Sequence, residues 1–356
     1  MLSAQFGSVP SEGESQVSPV TSPSASSSST SHGNSVASLD LTQTSLRSCS
    51  NPLGSHSGPI PIKSTPYHIQ RYTPLAKLTS FRVGGVAEFF IAPRDLDEMQ
   101  AALAWADRES VPVTLLGAGS NLLISDRGLN GLVICTRRLK SVEVDTDSGL
   151  LTASAGESLV RLAWRAAEQG LSGLEWAVGI PGTVGGAVVM NAGAHTWCTA
   201  DILVHAQALD MSGSHHTFRP QDLMFDYRTS MLQQRSLLVT QASFQLQPRQ
   251  SPESVMQATR EHLKKRHETQ PYHLPSCGSV FRNPSPQKAG WLIEQTGLKG
   301  YQIGDAQVAE QHANFILNLG NATASDIFSL IQHVQEQVKD QWRLLLRPEV
   351  KFIGEF

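Results

Sequence analysis

The stretch 179–193, GIPGTVGGAVVMNAG, crowds Gly179, Gly182, Gly185, Gly186 and Gly193 into fifteen positions among apolar neighbours. Glycine loses the most backbone freedom on ordering and has no side chain to pack, so this run weakens any regular element. It belongs where a large flat ligand or another backbone lies against bare Cα atoms; the plainer alternative is a glycine-rich helix start packed on a strand. A second turn, LLGAGSNLLISD, brings a strand into Gly117, Gly119, Ser120 and Asn121. Successive N–H groups in such a turn can cradle an anion, and an ordinary tight turn is the competing reading. The dinucleotide fingerprint fails because Leu122 stands at its third glycine, and no G-x-x-x-x-G-K-[ST] occurs, so neither a Rossmann nor a P-loop site is expected.

Composition sets the outer limits. The first 66 residues hold 20 serines, two basic residues (Arg47, Lys63) and three acidic ones (Glu12, Glu14, Asp40). Such a segment cannot bury enough apolar surface to offset its ordering entropy, so residues 1–66 are expected to be a disordered tail, dispensable for folding and turnover. MLSAQFGSVPSEGESQ lacks the basic start and apolar core of a secretory signal; a plastid transit peptide matches the Ser-rich, acid-poor composition but not the low Arg content, and a plain tail is the preferred reading. No run approaches the roughly 20 apolar residues that cross a bilayer. A net charge of -3 argues against a general nucleic-acid binder. Cys49, Cys135, Cys198 and Cys277 form no C-x-x-C pair, which fits a reducing, cytoplasmic compartment.

From Tyr67 onward strands and helices alternate. Glu88–Pro93 reads as a strand, followed by a helix with Leu96, Met99, Leu103 and Ala106 in phase and Asp95 as N-cap. Val111–Leu116 and Leu132–Cys135 are further strands, 140–155 a hairpin, and Glu157–Gln169 a helix stopped by Gly170. Strands at Ile202–Met211 and Leu237–Leu246 lead to Pro248 and Pro252, which bracket a linker before a helix at Glu253–Thr269. A long helix capped by Ser325, with Ile327, Ile331, Val334, Val338 and Trp342 toward the core, precedes the strand VKFIG. The whole is an α+β protein in several lobes.

FDYRTS (225–230) and CGSVFRNP (277–284) set an Arg or a Ser hydroxyl among aromatic residues and turn formers, a setting for oriented polar groups. Arg228 alone reads equally as a structural ion pair, and Cys277 as a small buried hydrophobe, since nothing supplies a base for a thiol. No metal site is expected: His215 and His216 are adjacent, and His262 and His267 stand five apart, so neither pair shares a helix face. Lys264, Lys265 and Arg266 read most simply as a solvated helix face, with a phosphate-bearing ligand as the alternative use.

Taken together, TSFRVGG (79–85), LLGAGSNLL (115–123), GIPGTVGGAVVMNAG (179–193), FDYRTS, CGSVFRNP, AGWLIEQTGLKG (289–300), HANFILN (312–318) and RPEVKFIGE (347–355) resemble the UDP-N-acetylenolpyruvoylglucosamine reductases, also called UDP-N-acetylmuramate dehydrogenases, of bacterial cell-wall synthesis. The motifs run in the family's order from about residue 70, and the compact 286–300 segment resembles its shorter subtype. The resemblance implies a two-lobed FAD-binding domain of the vanillyl-alcohol-oxidase/PCMH type over 67–247 (lobes 67–140 and 141–247). It also implies a smaller α+β substrate domain over 248–345 and a C-terminal strand, 346–356, returning to the active site. FAD would lie against Arg82, the turn Gly117, Ala118, Gly119, Ser120, Asn121 and Leu122, and the segment Gly179, Ile180, Pro181, Gly182, Thr183, Gly185, Gly186 and Ala187, then Asn191, Ala192, Gly193 and Ala194.

The implied reaction is ping-pong. NADPH reduces the flavin, then the enolpyruvyl sugar takes hydride from flavin N5 at C3 to give UDP-N-acetylmuramate. Arg228 matches the family's carboxylate-binding Arg and would stabilise the enolate formed, Ser279 its proton donor, and Glu349 its third catalytic residue, for which a raised pKa is expected. Tyr227 and Asn283 would contact this small-molecule substrate. A monomer is expected, with no nucleic-acid or membrane partner. Trp291 and Asp305–Ala306 depart from the usual family pattern in the substrate lobe. The rival readings are another FAD-dependent oxidase or dehydrogenase of the wider superfamily, or an inactive nucleotide-binding homologue.

Overall fold

The computed structural model describes residues 58–356, so the expected tail lies outside the described residues up to residue 57. Its last part does not. Strand β1 (Ile60–Pro61) pairs antiparallel with β2 (His68–Pro74), and Ile62 is buried beside Ile69, Ile91 and Met99. Low charge and high serine content hid a short apolar segment, PIPI, that the first sheet uses as its edge.

β3 (Val86–Ile91) continues that sheet and leads into α1 (Leu96–Arg108), whose N-cap Asp95 accepts from Glu98 N–H at 2.8 Å. β4 (Val113–Leu116), β5 (Leu122–Ile124) and β6 (Leu129–Cys135) follow, and the sheet order is β1-β2-β3-β6-β4, parallel across β3-β6-β4. Parallel β4 therefore ends beside the end of β6, and its turn, 117–121, opens at that edge.

The next lobe is an antiparallel sheet backed by helices. β7 (Val142–Asp145) and β8 (Leu150–Ser154) form the expected hairpin, then α2 (Leu159–Glu168) runs to Gly170 at φ +67°. α3 (Val184–Met190), β9 (Gly193–Ala194), β10 (Trp197–Cys198) and α4 (Thr199–Ile202) lie within and after the glycine-rich segment. β11 (Leu203–Asp210), β12 (His215–Phe218) and β13 (Leu237–Gln245) complete the order β12-β11-β13-β8-β7. α5 (Pro252–Thr269) packs on α2, with Leu263 against this lobe's core, so the prolines mark a change of direction and the helix stays with the second lobe.

In the third lobe α6 (Ala289–Gln295), the meander β14 (Gln302–Ile303), β15 (Ala306–Val308) and β16 (Ile316–Asn318), and α7 (Ala324–Trp342) enclose a core that also takes in Phe81, Val83 and Leu123. The cap of α7 is Thr323, in a capping box with Asp326, two residues before the expected Ser325. Ser325 instead binds the Asp126 carboxylate, which also accepts from Ala324 N–H. Ile327, Ile331, Val334 and Val338 are buried as their spacing requires, whereas Trp342 is half out, its ring tilted by 55° against that of Trp291. Finally β17 (Lys351–Ile353) pairs parallel with β5, carrying the end of the chain back to the first lobe.

The buried Ile62 sets a measurable cost for trimming. A chain starting at Tyr67 loses β1 and the burial of one Ile side chain, about 1.5–3 kcal/mol, relative to one starting at Gly58. Urea unfolding of the two truncations measures the difference, and equal midpoints would show that the edge strand contributes nothing.

Candidate active site

A cleft of about 1440 Å³ runs between the 117–122 turn, the 180–194 segment and the irregular 271–283 segment. It exceeds the roughly 300–1,000 Å³ of a pocket for one small ligand, which leaves room for a large cofactor together with a second molecule. Its wall includes Arg82, all six residues from Gly117 to Leu122, and Ile180, Pro181, Gly182, Thr183, Gly185, Gly186, Ala187, Ala192, Gly193 and Ala194. Tyr227, Arg228, Ser279, Asn283 and Glu349 line the same space. Two of the expected cofactor residues are not on that wall. Asn191 is the left-handed C-cap of α3 and spends its amide on Asp226 C=O (3.1 Å) and Ala200 N–H (3.0 Å). Gly179 lies under Arg266 and Tyr272, whose hydroxyl donates to its carbonyl at 2.7 Å.

The turns are held by each other. Gly119 sits at φ +64°, and a Cβ there would stand 2.3 Å from Leu78 C=O, so only glycine fits. A Cβ on Gly117 would stand 2.7 Å from the Thr183 hydroxyl, and Ser120 donates to Pro181 C=O at 2.8 Å. Thr183 caps α3 by accepting from Gly186 N–H, and the N–H groups of Val184 and Gly185 are taken by Glu157 and Ala155 carbonyls. The N–H groups of Ala118, Gly119, Ser120, Gly182 and Thr183, by contrast, reach no acceptor among the described residues. Gly186 is different again: a Cβ there would meet only Thr183 Oγ1, at an ordinary 3.5 Å. Protein packing does not require it to be bare. Unpaired N–H groups and a bare backbone on one wall fit a flavin dinucleotide, its diphosphate on the N–H groups and its flat ring on the glycines.

At the other end of the cleft Arg228 Nε donates to Glu349 Oε1 at 3.0 Å and Nη2 donates to Gly193 C=O at 2.7 Å. Arg228 has φ +56°, and its guanidinium lies 5.0 Å over the Tyr227 ring. A non-glycine residue held in that region stores strain of about 1–3 kcal/mol, a cost seen mostly at functional positions. Arg282 reinforces it by donating to Arg228 C=O at 3.2 Å. Burial pushes the Glu349 carboxyl above the ordinary carboxylate range, against the opposing pull of Arg228, Arg282 and Lys351. Cys277 is fully buried, which pushes its thiol up and leaves it a packed apolar group.

Backbone pairing brings Ser279 to the same end. Phe281 bridges Pro348, and Glu349 N–H donates to Val280 C=O at 2.7 Å, so Ser279 lies one residue from Glu349's partner. Its hydroxyl makes no hydrogen bond among the described residues. The buried Asn314 locks this strand by accepting from Phe281 N–H (3.0 Å) and donating to Phe281 C=O (2.8 Å). Asn283 accepts from Ala289 N–H at the start of α6, which fixes its amide at the cleft edge. Sequence reasoning missed Lys351, which lines the cleft with Glu349 and Ile353; the i, i+2, i+4 spacing of a strand was the available signal.

Residues 270–353 match the family model described as UDP-N-acetylenolpyruvoylglucosamine reductase, C-terminal domain, and residues 87–219 match that described as FAD binding domain. The chain is 60% identical over 288 residues to the UDP-N-acetylenolpyruvoylglucosamine reductase of Acaryochloris marina, covering 81% of this chain and 94% of that one. It is 55% identical over 312 residues to that of a Nostoc species, covering 88% and 94%. The crystal structure of the enzyme so named from Thermus caldophilus superposes with a TM-score of 0.68 at 36% identity, covering 79% of this chain and 97% of that chain.

The raised pKa of Glu349 has a thermodynamic signature. Because folding lifts it, its stabilising contribution is complete below the unfolded pKa and is lost as pH rises through the folded pKa. Urea midpoints should fall with rising pH across that window, and Glu349→Gln should flatten the limb. An unchanged slope in the variant would assign the limb to other groups.

Proposed function

The chain belongs to the UDP-N-acetylenolpyruvoylglucosamine reductase family, with its α+β fold and FAD-binding domain, and on that premise we propose that it is the NADPH-dependent enzyme that reduces UDP-N-acetylglucosamine enolpyruvate to UDP-N-acetylmuramate in the cytoplasm. The observation that carries the reading is the meeting of Arg228, Glu349 and the Ser279 strand in the cleft that the two glycine turns open. The division of labour follows the packing: the first two lobes would hold FAD, and the third the UDP-sugar.

FAD, when bound, supplies to C3 of the enol ether the hydride delivered by NADPH. The negative charge left at C2 spreads into the substrate carboxylate, and the residues named here answer that charge. Arg228 is fixed through Nε and Nη2 by Glu349 and Gly193, which leaves Nη1 to pair with the carboxylate as its charge grows. A guanidinium oriented beforehand in a half-dry site stabilises that charge without reorganising. Ser279 donates its hydroxyl proton to C2; a hydroxyl is a weak acid in water, but the enolate is a strong base, and this hydroxyl has no competing protein acceptor among the described residues. Glu349, whose carboxyl burial pushes toward its neutral form, accepts from Arg228 on one oxygen and so holds the guanidinium in place without adding a full negative charge beside the growing one. Tyr227 supports the Arg228 guanidinium from below, and Asn283, its carbonyl oxygen taken by Ala289, offers its NH₂ to the sugar.

Separating the half-reactions tests the assignment. Ser279→Ala should leave flavin reduction by NADPH near wild type while oxidation by the enolpyruvyl sugar slows by about 10²–10⁴, the range for a lost general acid. Ser279→Cys should keep part of the second rate, since a thiol still delivers a proton. Equal slowing of both halves would make Ser279 structural. Electron flow to oxygen with no turnover of the sugar would turn the reading toward an oxidase.

A further inference from the structure

Arg137 lies at the end of β6, behind the 117–121 turn and off the cleft wall. It is half-buried and pairs with no carboxylate among the described residues. Its Nε donates to Gly117 C=O at 3.0 Å, and its Nη2 donates to Leu78 C=O at 2.7 Å and to Ala118 C=O. A guanidinium has donors only and stays charged, so here it collects three carbonyls from two loops.

The consequence follows from peptide geometry. In a planar trans peptide the C=O of one residue points opposite to the N–H of the next. Drawing the Gly117 and Ala118 carbonyls back onto Arg137 therefore turns the Ala118 and Gly119 N–H groups the other way. Both residues line the cleft, and neither N–H reaches an acceptor among the described residues. The contact to Leu78, with Ser80 N–H donating to Gly119 C=O at 3.1 Å, stops the turn from rotating as a unit.

We infer that Arg137 is a positioning residue that makes the 117–120 backbone an anion cradle, holding the Ala118 and Gly119 N–H groups toward the diphosphate of the bound flavin nucleotide. The inference rests on FAD occupying this cleft. It also predicts a difference between ligands, because only those carrying the diphosphate use the cradle.

The test strips the flavin from the purified full-length protein, Arg137→Lys and Arg137→Met, and titrates each with FAD, with ADP, which keeps the diphosphate, and with riboflavin, which lacks it. Arg137→Met should weaken FAD and ADP by tenfold or more, and Arg137→Lys, which keeps the charge without the planar fork, by more than threefold but less than Met. Riboflavin should stay within threefold of wild type in both. A role in general stability would weaken all three ligands together, and that result overturns the inference, as does Arg137→Met binding FAD and ADP within threefold of wild type. Should Arg137→Met lack a native circular dichroism spectrum, Arg137→Lys decides: ADP weakened more than threefold with riboflavin intact supports the cradle, and any smaller change rejects it. Failure of the wild-type protein to take up FAD would be a separate outcome, against the cofactor itself.

Discussion

The parallel pairing of β17 with β5 is the contact on which the site depends. Lys351 N–H donates to Asn121 C=O at 2.9 Å, and the Asn121 amide donates to Glu349 C=O at 3.1 Å. Two hydrogen bonds thus tie the last strand of the chain to the turn that opens the cleft. Through the same segment, Arg282 N–H donates to Arg347 C=O and Glu349 N–H to Val280 C=O, so the strand bearing Ser279 is registered against the turn by way of the C-terminal strand. Without this strand Glu349 has no anchor and Arg228 loses its carboxylate partner, while the third lobe is joined to the first by packing against Phe81, Val83 and Leu123 and by hydrogen bonds from Ala324 and Ser325 to Asp126 and from Asn318 to Phe81 C=O.

Arg228 and Glu349 show what such a site costs. Both are mostly removed from water, with side-chain exposures of 23% and 14%, and desolvation of a buried pair commonly offsets most of its attraction. That Glu349 is pushed toward its neutral form despite three nearby cations says which effect wins here: burial outweighs charge. The left-handed backbone at Arg228 adds strain to the same spot. Neither feature serves stability. Together they hold a guanidinium aimed into the cleft and a carboxyl displaced toward its neutral form, at a cost the fold alone does not need.

How much of this was legible depended on whether a residue's role is set locally. Asp95 before an apolar period reads as an N-cap and is one, and the helix at 159–168 ends at the glycine that stops it. Ser325 was misleading because the real cap, Thr323, closes a box with Asp326, while Ser325 is engaged by Asp126, 199 residues away. Pro59 to Ile62 were hidden by the composition around them, since averaging over a serine-rich window erases four apolar residues. Arg137 gave no sign at all: its three acceptors are carbonyls, and carbonyls have no letter in a sequence. Asn191 stands in a run of cleft-lining residues, yet its left-handed backbone turns it into a cap.

The glycines that first drew notice divide by cause, and the division locates the ligand. A Cβ on Gly119 would strike a backbone carbonyl, one on Gly185 would stand 2.9 Å from the Ala155 methyl, and one on Gly193 would stand 2.4 Å from Trp197 C=O. The protein's own packing explains all three. Gly186 meets nothing closer than an ordinary contact, has no left-handed backbone, and lines the cleft. Gly186 sits in the first turn of α3, where alanine is the better helix former and the protein's own packing leaves room for it. A methyl group there would enter the cleft, on the wall that also carries the unpaired N–H groups of Gly182 and Thr183. The bare position leaves that part of the cleft wall flat, as contact with the ring of a bound cofactor would require.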